Sequence, residues 1–207
     1  MIDIIVITHN EGELVRKCIE SVRSQSDKNY TLTVVADSAD DKTLEVLHSM
    51  GIEPIITDCH SAGGARNAGF EATSSEYVWW IDGDDYILHD EVVRMLNEII
   101  WRSDNAGNPK IDMLNFGFIW KEKGYMDATS NGGNWFPNAW SRLWRREAVG
   151  KTRFDNLPYA EDVGFFSQML SKEITYINWD VPMIYYNNPR EGSLTWQYGT
   201  DSESEEK

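Results

Sequence analysis

Residues 77–85 read YVWWIDGDD, an apolar run that ends in three aspartates and one glycine. The run from Tyr77 to Ile81 predicts a buried strand, so the carboxylates would crowd together at its end. Two unit charges about 4 Å apart repel by roughly 4 kcal/mol at an effective dielectric near 20, and a divalent cation reverses that cost. Mg²⁺ and Mn²⁺ prefer oxygen ligands, and Gly83 permits a sharp turn and a close approach of a ligand. The stretch predicts a cation site; the alternative is an acidic turn whose aspartates cap a helix.

Upstream of this stretch, short apolar runs alternate with helical patterns. The predicted strands are Ile4 to Ile7, Leu32 to Val35, and Ile55 with Ile56. Apolar residues at helical spacing predict helices over 14–22, 44–50, 62–72 and 92–100.

Polar residues mark the starts of two of these helices. Asn10 with Glu13 three positions on predicts a capping box, in which each side chain satisfies a backbone N–H at the helix start. Asp40 or Asp41 is suited to cap the second helix.

The alternation of strands and helices predicts an α/β fold with a parallel sheet covered on both faces. Ligands of such sheets bind beyond the carboxyl ends of the strands. Three polar groups fall at those ends: 8–10, Asp37 and 82–84. We therefore expect these distant parts of the chain to converge on one edge.

The second half has a looser pattern. Ile111 to Trp120 predicts a strand, and residues 127–138, rich in Gly and Asn, predict a loop. A helix is expected from Glu161, and short strands over Ile174–Ile177 and Met183–Tyr186.

Composition excludes several classes of protein. The 207 residues carry a net charge of −15, which disfavours broad electrostatic binding to nucleic acid. The two cysteines, Cys18 and Cys59, suggest neither a disulfide framework nor a zinc site. No stretch approaches the roughly 18 apolar residues of a membrane span, and the first residues lack a signal-peptide pattern. The sequence thus predicts a soluble, cytoplasmic chain, for which peripheral membrane association stays open.

Five segments occur in the order typical of one enzyme family. They are THN at 8–10, the helical segment 14–25, VADSADDKT at 35–43, ARNAG at 65–69 and DGDD at 82–85. Together they resemble the family-2 inverting glycosyltransferases of the GT-A fold. The chain departs from the family pattern at Ala36, where an aspartate is usual, and at Ser38, where a glycine is usual.

The resemblance implies a Rossmann-like, mostly parallel central sheet flanked by helices, with a small C-terminal acceptor-side region. It implies one domain over 1–200, with a nucleotide-sugar-binding half at 1–103 and an acceptor half at 104–200. Residues 201–207 are acidic and lack apolar side chains, which predicts a disordered tail.

For the nucleoside of the donor, the resemblance implies that Thr8 and Asp37 hold the base and ribose, with Asn10 and Glu11 in contact with the same group. The alternative for Thr8 is a strand-end hydroxyl that caps the following helix.

For the diphosphate, the resemblance implies that Arg66 positions the donor and that Asp82 lies near the ribose and donor sugar. Asp84, with Asp82 beside it, would bind Mn²⁺ or Mg²⁺, and Arg190 would neutralise the leaving group. The alternative for Arg66 is a structural ion pair with one of the many carboxylates.

On the acceptor side, Glu161-Asp162 resembles the family's acidic pair at a helix start, and residues 140–146 resemble the segment before it. The resemblance implies that Asp162 deprotonates the acceptor hydroxyl, with Glu161 beside the acceptor. A carboxylate suits this role because partial burial raises its proton affinity. The alternative is that both acids complement a helix N-terminus. Trp135 and Trp140 could stack on an acceptor sugar, although such rings are more often core anchors.

The predicted reaction is a single displacement at the anomeric carbon of a nucleoside diphosphate sugar, with a uridine diphosphate sugar as the predicted donor. The acceptor stays open among a glycan, a lipid-linked sugar, a protein and a modified nucleotide. Two alternatives are a nucleotidylyltransferase and a non-catalytic carbohydrate-binding module. The first usually has a Gly-rich basic loop near its N-terminus, and residues 8–12 are neither Gly-rich nor basic.

Overall fold

The computed structural model describes residues 1–129, 137–188, 190 and 193. The strands of this part are β1 Ile2–Thr8, β2 Tyr30–Asp37, β3 Ile55–Thr57, β4 Tyr77–Asp82, β5 Tyr86–Ile87, β6 Met113–Trp120, β7 Gly124–Met126, β8 Arg142–Arg145 and β9 Tyr176–Tyr186. The helices are α1 Glu13–Arg23, α2 Asp41–Ser49, α3 Ala62–Glu71, α4 Val92–Asn105, α5 Arg146–Val149 and α6 Glu161–Leu170.

All the described strands form one mixed sheet. Its order is β3-β2-β1-β4-β8-β6-β9-β5, and β7 pairs with β6. The four strands β1 to β4 are mutually parallel, as the α/β pattern predicts. Strand β8 then joins antiparallel between β4 and β6, so that strands from both halves of the chain share the sheet.

Helices cover both faces of the sheet. Strand β1 presents apolar side chains to both faces, and each set is buried by helices. Ile2, Ile4 and Val6 pack with α1, α2 and α4, whereas Ile5 and Ile7 pack with α3 and α6. Successive side chains of a strand point to opposite faces, so β1 supplies both cores and is buried along its whole length. The two-layer cover holds the carboxyl end of β1 rigidly at the edge where the polar residues gather.

The capping prediction for α1 is wrong. Gly12, with φ 53°, is the N-cap residue, and α1 has no side-chain cap. Asn10 Oδ1 instead accepts a hydrogen bond from Asp40 N at 2.7 Å. The prediction for α2 is confirmed, because Asp40 accepts from Thr43 N at 2.8 Å. Asn10 therefore joins the end of β1 to the start of α2.

The two short strands expected near the end of the chain are one strand of 11 residues, β9. Its pairing with β6 shifts register between Phe116 and Phe118, next to Pro182. Proline has no N–H to give to a ladder, and a bulge accommodates it. The interruption in the apolar pattern around Pro182 thus marks an irregularity inside a strand.

Among the described residues, no helix has both the length and the apolar character needed to cross a bilayer. Cys18 and Cys59 are free thiols, as the sequence predicts. The predicted tail at 201–207 lies outside the described residues.

Candidate active site

The carboxyl ends of β1, β2 and β4 bring the predicted polar groups to one edge. Thr8 pairs with Ala36 across β1 and β2, and Ile7 pairs with Asp82 across β1 and β4. Gly83 N donates to Ile7 O at 2.8 Å. A Cβ at Gly83 would lie 3.0 Å from both Ile7 O and Thr8 Cβ, so this turn has little room for a side chain.

One buried arginine connects this edge to helix α6. Arg66, whose side chain is 3% exposed, donates from Nη2 to Asp82 Oδ1 at 2.8 Å and from Nη1 to Asp162 Oδ1 at 3.0 Å. Nη1 also donates to Glu161 Oε1. Burial opposes the charge of Arg66, but the carboxylates outweigh it and hold its pKa well above the ordinary value.

These contacts fit the ion-pair interpretation of Arg66. Its guanidinium is covered by the protein, which argues against the predicted direct contact with a donor. Its three carboxylate partners would repel one another strongly without it, because like charges in a buried site are poorly screened. Arg66 therefore fixes the distance between the end of β4 and the first turn of α6.

Asp162 lies in that first turn, where the sequence predicts it. Its Oδ2 accepts from Ala139 N at 3.2 Å. Burial raises the pKa of Asp162 to about 7; Arg66 opposes this shift, and Glu161 and Asp82 add to it. A carboxyl with such a pKa can exchange a proton near neutral pH.

Asp84 lies in a second charged network. Arg190 donates from Nε to Asp84 Oδ2 at 2.6 Å and from Nη2 to Glu11 Oε1 at 3.1 Å. The other oxygen of Glu11 accepts from the Thr8 hydroxyl and from His9 N. The Thr8 hydroxyl is thus used by Glu11, and the alternative that it caps α1 is wrong.

The third aspartate of the stretch has a different environment. Asp85 is 1% exposed, and its Oδ1 accepts from Asn187 N at 2.9 Å. Within the described part of the chain its Oδ2 has no hydrogen-bond partner. Burial, with the charges of Asp84 and Asp82, raises the pKa of Asp85 well above its ordinary value. Asp85 thus fastens the turn after β4 to the end of β9.

The donor atoms at this edge suit one kind of cation. Asp82 and Asp84 keep 26% and 16% of their side chains exposed, and both offer hard carboxylate oxygens. Within the described ranges, no three His, Cys, Asp or Glu side chains form a ready-made metal cluster. Mg²⁺ commonly binds through one or two carboxylates and completes its coordination with phosphate oxygens and water. The residues fit Mn²⁺ or Mg²⁺ held jointly with a diphosphate, and do not fit an all-protein cage.

Asp37 is held within the protein at the end of β2. Its Oδ1 accepts from Thr57 Oγ1 at 2.8 Å and from Cys59 N at 2.7 Å, and its Oδ2 accepts from Ser61 N at 3.0 Å. The carboxylate of Asp37, which is 5% exposed, thus ties β2 to the loop between β3 and α3. These contacts leave it poorly placed for the base contact that the resemblance implies.

Sequence reasoning missed a polar group next to Asp37, which consists of Ser38, Asp58 and His60. Ser38 Oγ donates to Asp58 Oδ1 at 2.9 Å and lies 3.0 Å from His60 Nδ1. His60 Nε2 lies 3.2 Å from Asp58 Oδ1. The signal that could have found it is the serine at a position where the family has glycine.

Trp135 and Trp140 are the two tryptophans predicted to stack on an acceptor sugar. Trp140 is 3% exposed, stacks on Tyr186 and meets Phe118 edge to face. A ring packed in this way has no free face for a sugar, so the prediction for Trp140 is wrong. Trp135 lies outside the described residues. Glu161 is buried against Arg66, which leaves it a structural partner of the site.

A comparison of the sequence with models of known protein families identifies the relatives. The model described as Glycosyl transferase family 2 matches residues 3–173. The chain belongs to this family. The match confirms the predicted family and its class of enzymes, and it supports neither a nucleotidylyltransferase nor a carbohydrate-binding module.

One curated relative is Glycosyltransferase GlyA of Streptococcus pneumoniae serotype 4, which is 29% identical over 222 residues. The match covers 94% of this chain and 31% of the relative, so the chain spans about a third of that protein's length.

Two solved structures show the same fold. S. aureus TarS 1-349 in complex with UDP-GlcNAc has a TM-score of 0.76 and 17% identity, over 94% of this chain and 60% of that one. The mannosyltransferase PcManGT from Pyrobaculum calidifontis, in complex with GDP-Man and Mn²⁺, has a TM-score of 0.72 and 15% identity, over 95% of this chain and 59% of that one. The predicted GT-A fold is confirmed.

Proposed function

We propose that this family-2 domain transfers a sugar from a nucleoside diphosphate, most simply UDP, to an acceptor hydroxyl with inversion at the anomeric carbon. The observation that carries the proposal is the shared guanidinium of Arg66, which joins Asp82 at the end of β4 to Asp162 on α6. A carboxylate on the diphosphate side and a candidate base are thereby held on either side of one buried charge. Such an arrangement suits a displacement in which the acceptor and the leaving group must be held at once.

On the donor side, Asp84 and Asp82 would hold Mn²⁺ or Mg²⁺ together with the diphosphate. The cation would supply neutralisation of the charge that develops on the departing diphosphate. Arg190, already paired with Asp84 and Glu11, adds a second positive charge to the same region. UDP-GlcNAc in TarS, and GDP-Man with Mn²⁺ in PcManGT, support a nucleotide-sugar donor and a divalent cation for this chain.

On the acceptor side, Asp162 would take the proton of the acceptor hydroxyl as that oxygen attacks the anomeric carbon. The bond to the diphosphate breaks as the new glycosidic bond forms, and attack from the opposite face inverts the configuration. With a pKa of about 7, Asp162 is substantially ionised at and above neutral pH. General-base assistance of this kind is typically worth roughly 10²- to 10⁴-fold in rate. A glycan, a lipid-linked sugar, a protein and a modified nucleotide remain the candidate acceptors.

Release of nucleoside diphosphate from a panel of nucleotide sugars, with Mn²⁺ and then with EDTA, tests the proposal. We expect release with Mn²⁺ only, and its loss by at least about 100-fold in Asp84→Asn and Asp162→Asn. Asp41→Asn is the matched control, because Asp41 is also an acid in the first turn of a helix but lies on α2. Full activity in either site variant would remove that residue from the mechanism. No release from any donor by the folded chain would overturn the proposed function.

A further inference from the structure

Arg142 is a buried arginine in the middle of the sheet. It begins β8, which lies between β4 and β6, and the residue is 0% exposed. A charge away from water is costly, and burial lowers the pKa of Arg142 to about 9, although the charge of Asp162 opposes this shift. An apolar residue in this strand would avoid that cost. Departures of this kind from the usual burial pattern are expected at functional sites.

The guanidinium of Arg142 holds the turn that precedes β8. Nη1 donates to Asn138 O and, at 3.1 Å, to Asn138 Oδ1. The same Oδ1 accepts from Ser141 N at 3.0 Å and from Ser141 Oγ at 2.7 Å, so it closes the turn over 138–141. Ala139, inside this turn, donates its N–H to Asp162 Oδ2 at 3.2 Å. The N–H that reaches the candidate base thus belongs to a turn that Arg142 anchors.

Arg142 also lies against the helix that carries Asp162. Its Cζ is 4.2 Å from the centroid of the Phe166 ring. Phe166 lies four residues after Asp162 on α6, so the two side chains share one face of the helix. Ala160 is the N-cap residue of α6, and its methyl side chain cannot accept a hydrogen bond from the first turn. The start of α6 therefore depends on tertiary contacts for its position, and Arg142 supplies one of them.

Two donors fix the orientation of the Asp162 carboxylate. Arg66 Nη1 donates to Oδ1 at 3.0 Å, and Ala139 N donates to Oδ2 at 3.2 Å. Each carboxylate oxygen has about two lone-pair sites, so each keeps one that can accept a proton. With a donor on each oxygen the plane of the carboxylate is held, and the remaining sites point in fixed directions. Loss of the Ala139 contact would release one of the two oxygens.

We propose that Arg142 is a positioning residue for the base: it holds the 138–141 turn against α6 and so directs the Ala139 N–H onto Asp162. The inference rests on the proposed function, because it takes Asp162 as the base. Arg142 is shielded from solvent, so it acts through Asn138 and Ala139 and not by contact with a substrate. A displacement of reacting groups by about 1 Å can cost about 100-fold in rate, so a small shift of this turn is enough to matter.

Arg142→Met in the whole chain tests this inference. The probe is release of nucleoside diphosphate from the nucleotide sugar that the wild type hydrolyses fastest, with Mn²⁺ present and water as the acceptor. We expect kcat to fall about 10- to 100-fold while KM for the donor stays within about twofold, because the base is misdirected and the donor site is intact. Asn138→Ala, which removes the Oδ1 link and keeps the arginine, should produce a loss of the same kind.

A double variant separates positioning from general support of the fold. In the Asp162→Asn background, Arg142→Met should lower kcat by less than about twofold, because the group that it positions is already absent. A merely structural arginine would lower kcat by the same factor in both backgrounds. Hydrogen exchange gives a readout without any ligand. The amide of Ala139 should exchange faster in Arg142→Met than in the wild type, since its acceptor is no longer held in place.

Arg146→Met is the matched control. Arg146 also lies with its Cζ 4.2 Å from a phenylalanine ring, that of Phe70, and it donates to Phe70 O at 2.8 Å. Its partner Asp3, however, lies near the start of β1, at the opposite end of that strand from the candidate site. The control variant should have a lower melting temperature and a wild-type kcat.

The outcomes distinguish this inference from the proposed function. A folded Arg142→Met variant with the wild-type kcat, or an equal loss in the two backgrounds, would overturn the inference and leave the proposed function standing. If thermal melts show that Arg142→Met does not fold, a wild-type kcat in Asn138→Ala would overturn it instead. Absence of diphosphate release by the wild type would remove the proposed function itself.

Discussion

Asp162 is a residue whose environment sets the pH at which it can act. Its pKa of about 7 arises mainly from burial, against the opposing charge of Arg66. Since a base must be ionised to accept a proton, kcat should rise with pH and level off above about pH 7. A pH–rate profile under saturating donor measures this rise. A rate independent of pH between 5 and 8 would contradict the assignment.

The raised pKa of Asp162 also affects stability. Whereas kcat should rise with pH, the stability of the folded chain should fall. A carboxyl with a raised pKa binds its proton more tightly in the folded chain, so its contribution is fully present at low pH and is lost as pH rises through about 7. Asp162→Asn removes this decrease in stability at higher pH. Relative to wild type, the variant should therefore gain stability from pH 5 to pH 8, by an amount on the order of a few kcal/mol. Thermal melts of both proteins at the two pH values provide the comparison.

Arg66 compensates three carboxylates, so its removal should be costly. Arg66→Met leaves Asp82, Glu161 and Asp162 without their common partner, and the free energy of unfolding should fall by about 3–5 kcal/mol at pH 8. The loss should be smaller at pH 5, where the carboxyls take up protons. Urea titrations measure both values.

Arg16→Met is the control for this experiment. Arg16 pairs with Glu13 on the exposed surface of α1, where solvent screens the pair and leaves it a small effect on stability. Equal losses in the two arginine variants would contradict the compensating role of Arg66.

At this scale the sequence predicted which residues gather but not what they touch. Asp82 and Asp162 are 80 positions apart, and the contact that relates them runs through Arg66, whose burial no local pattern reveals. Trp140 was misassigned for a similar reason, since a tryptophan in a sequence looks the same whether its ring is packed or free.

Helix α3 packs closely against the segment before α6, and Gly63 lies at the contact. A Cβ at Gly63 would lie 2.4 Å from Asp155 O, 3.0 Å from Phe154 Cβ and 3.2 Å from Glu161 Cγ. Gly63→Ala should therefore push the start of α6 away from α3, even though alanine favours helix more than glycine does. We expect a loss of about 1–3 kcal/mol in stability, together with a lower kcat.

Gly51→Ala is the control for this element. Gly51 has φ 68° and no atom within 4 Å of an added Cβ, so alanine there costs backbone strain without a steric clash. It should lower the melting temperature and leave kcat unchanged. A wild-type kcat in Gly63→Ala would show that the position of α6 does not depend on this contact.

Elements with strong periodicity could be predicted, and short or irregular ones could not. The helical stripe of α1 and the buried run of β4 are both found as expected. Strands β5 and β7 and helix α5 have two to four residues each, too few for a period to be read. Strand β8 could not be predicted, because the charged residues Arg142 and Arg145 hide the apolar character of a strand that lies in the middle of the sheet.

The whole molecule should be stabilised by its ligands, since a ligand that binds only the folded chain raises the free energy of unfolding. At a hundredfold excess over Kd this gain is about 2.7 kcal/mol, or about 5–10 °C for a chain of this size. We expect this shift with Mn²⁺ and UDP together, and a much smaller one with UDP in EDTA. Asp84→Asn should abolish the difference between the two conditions. An equal shift with and without the metal would contradict the cation site.

At the largest scale, the α/β class and the parallel order of the first four strands follow from the sequence, whereas the way in which the second half joins them does not. The first half predicts β1 to β4 through local alternation of strand and helix. The insertion of β8 beside β4 depends on pairings between residues more than 60 positions apart, such as Val78 with Trp144. Such pairings leave no periodic trace in the sequence.

That ladder between β4 and β8 constrains how the two halves can move. Separating them as rigid bodies would break backbone hydrogen bonds at Tyr77 and Val78, in the interior of the molecule. A clamshell opening, of the kind used by proteins whose lobes meet at a linker, is therefore costly here. Access to the polar edge of the sheet is therefore expected through the segments that border it, without rotation of one half of the chain against the other.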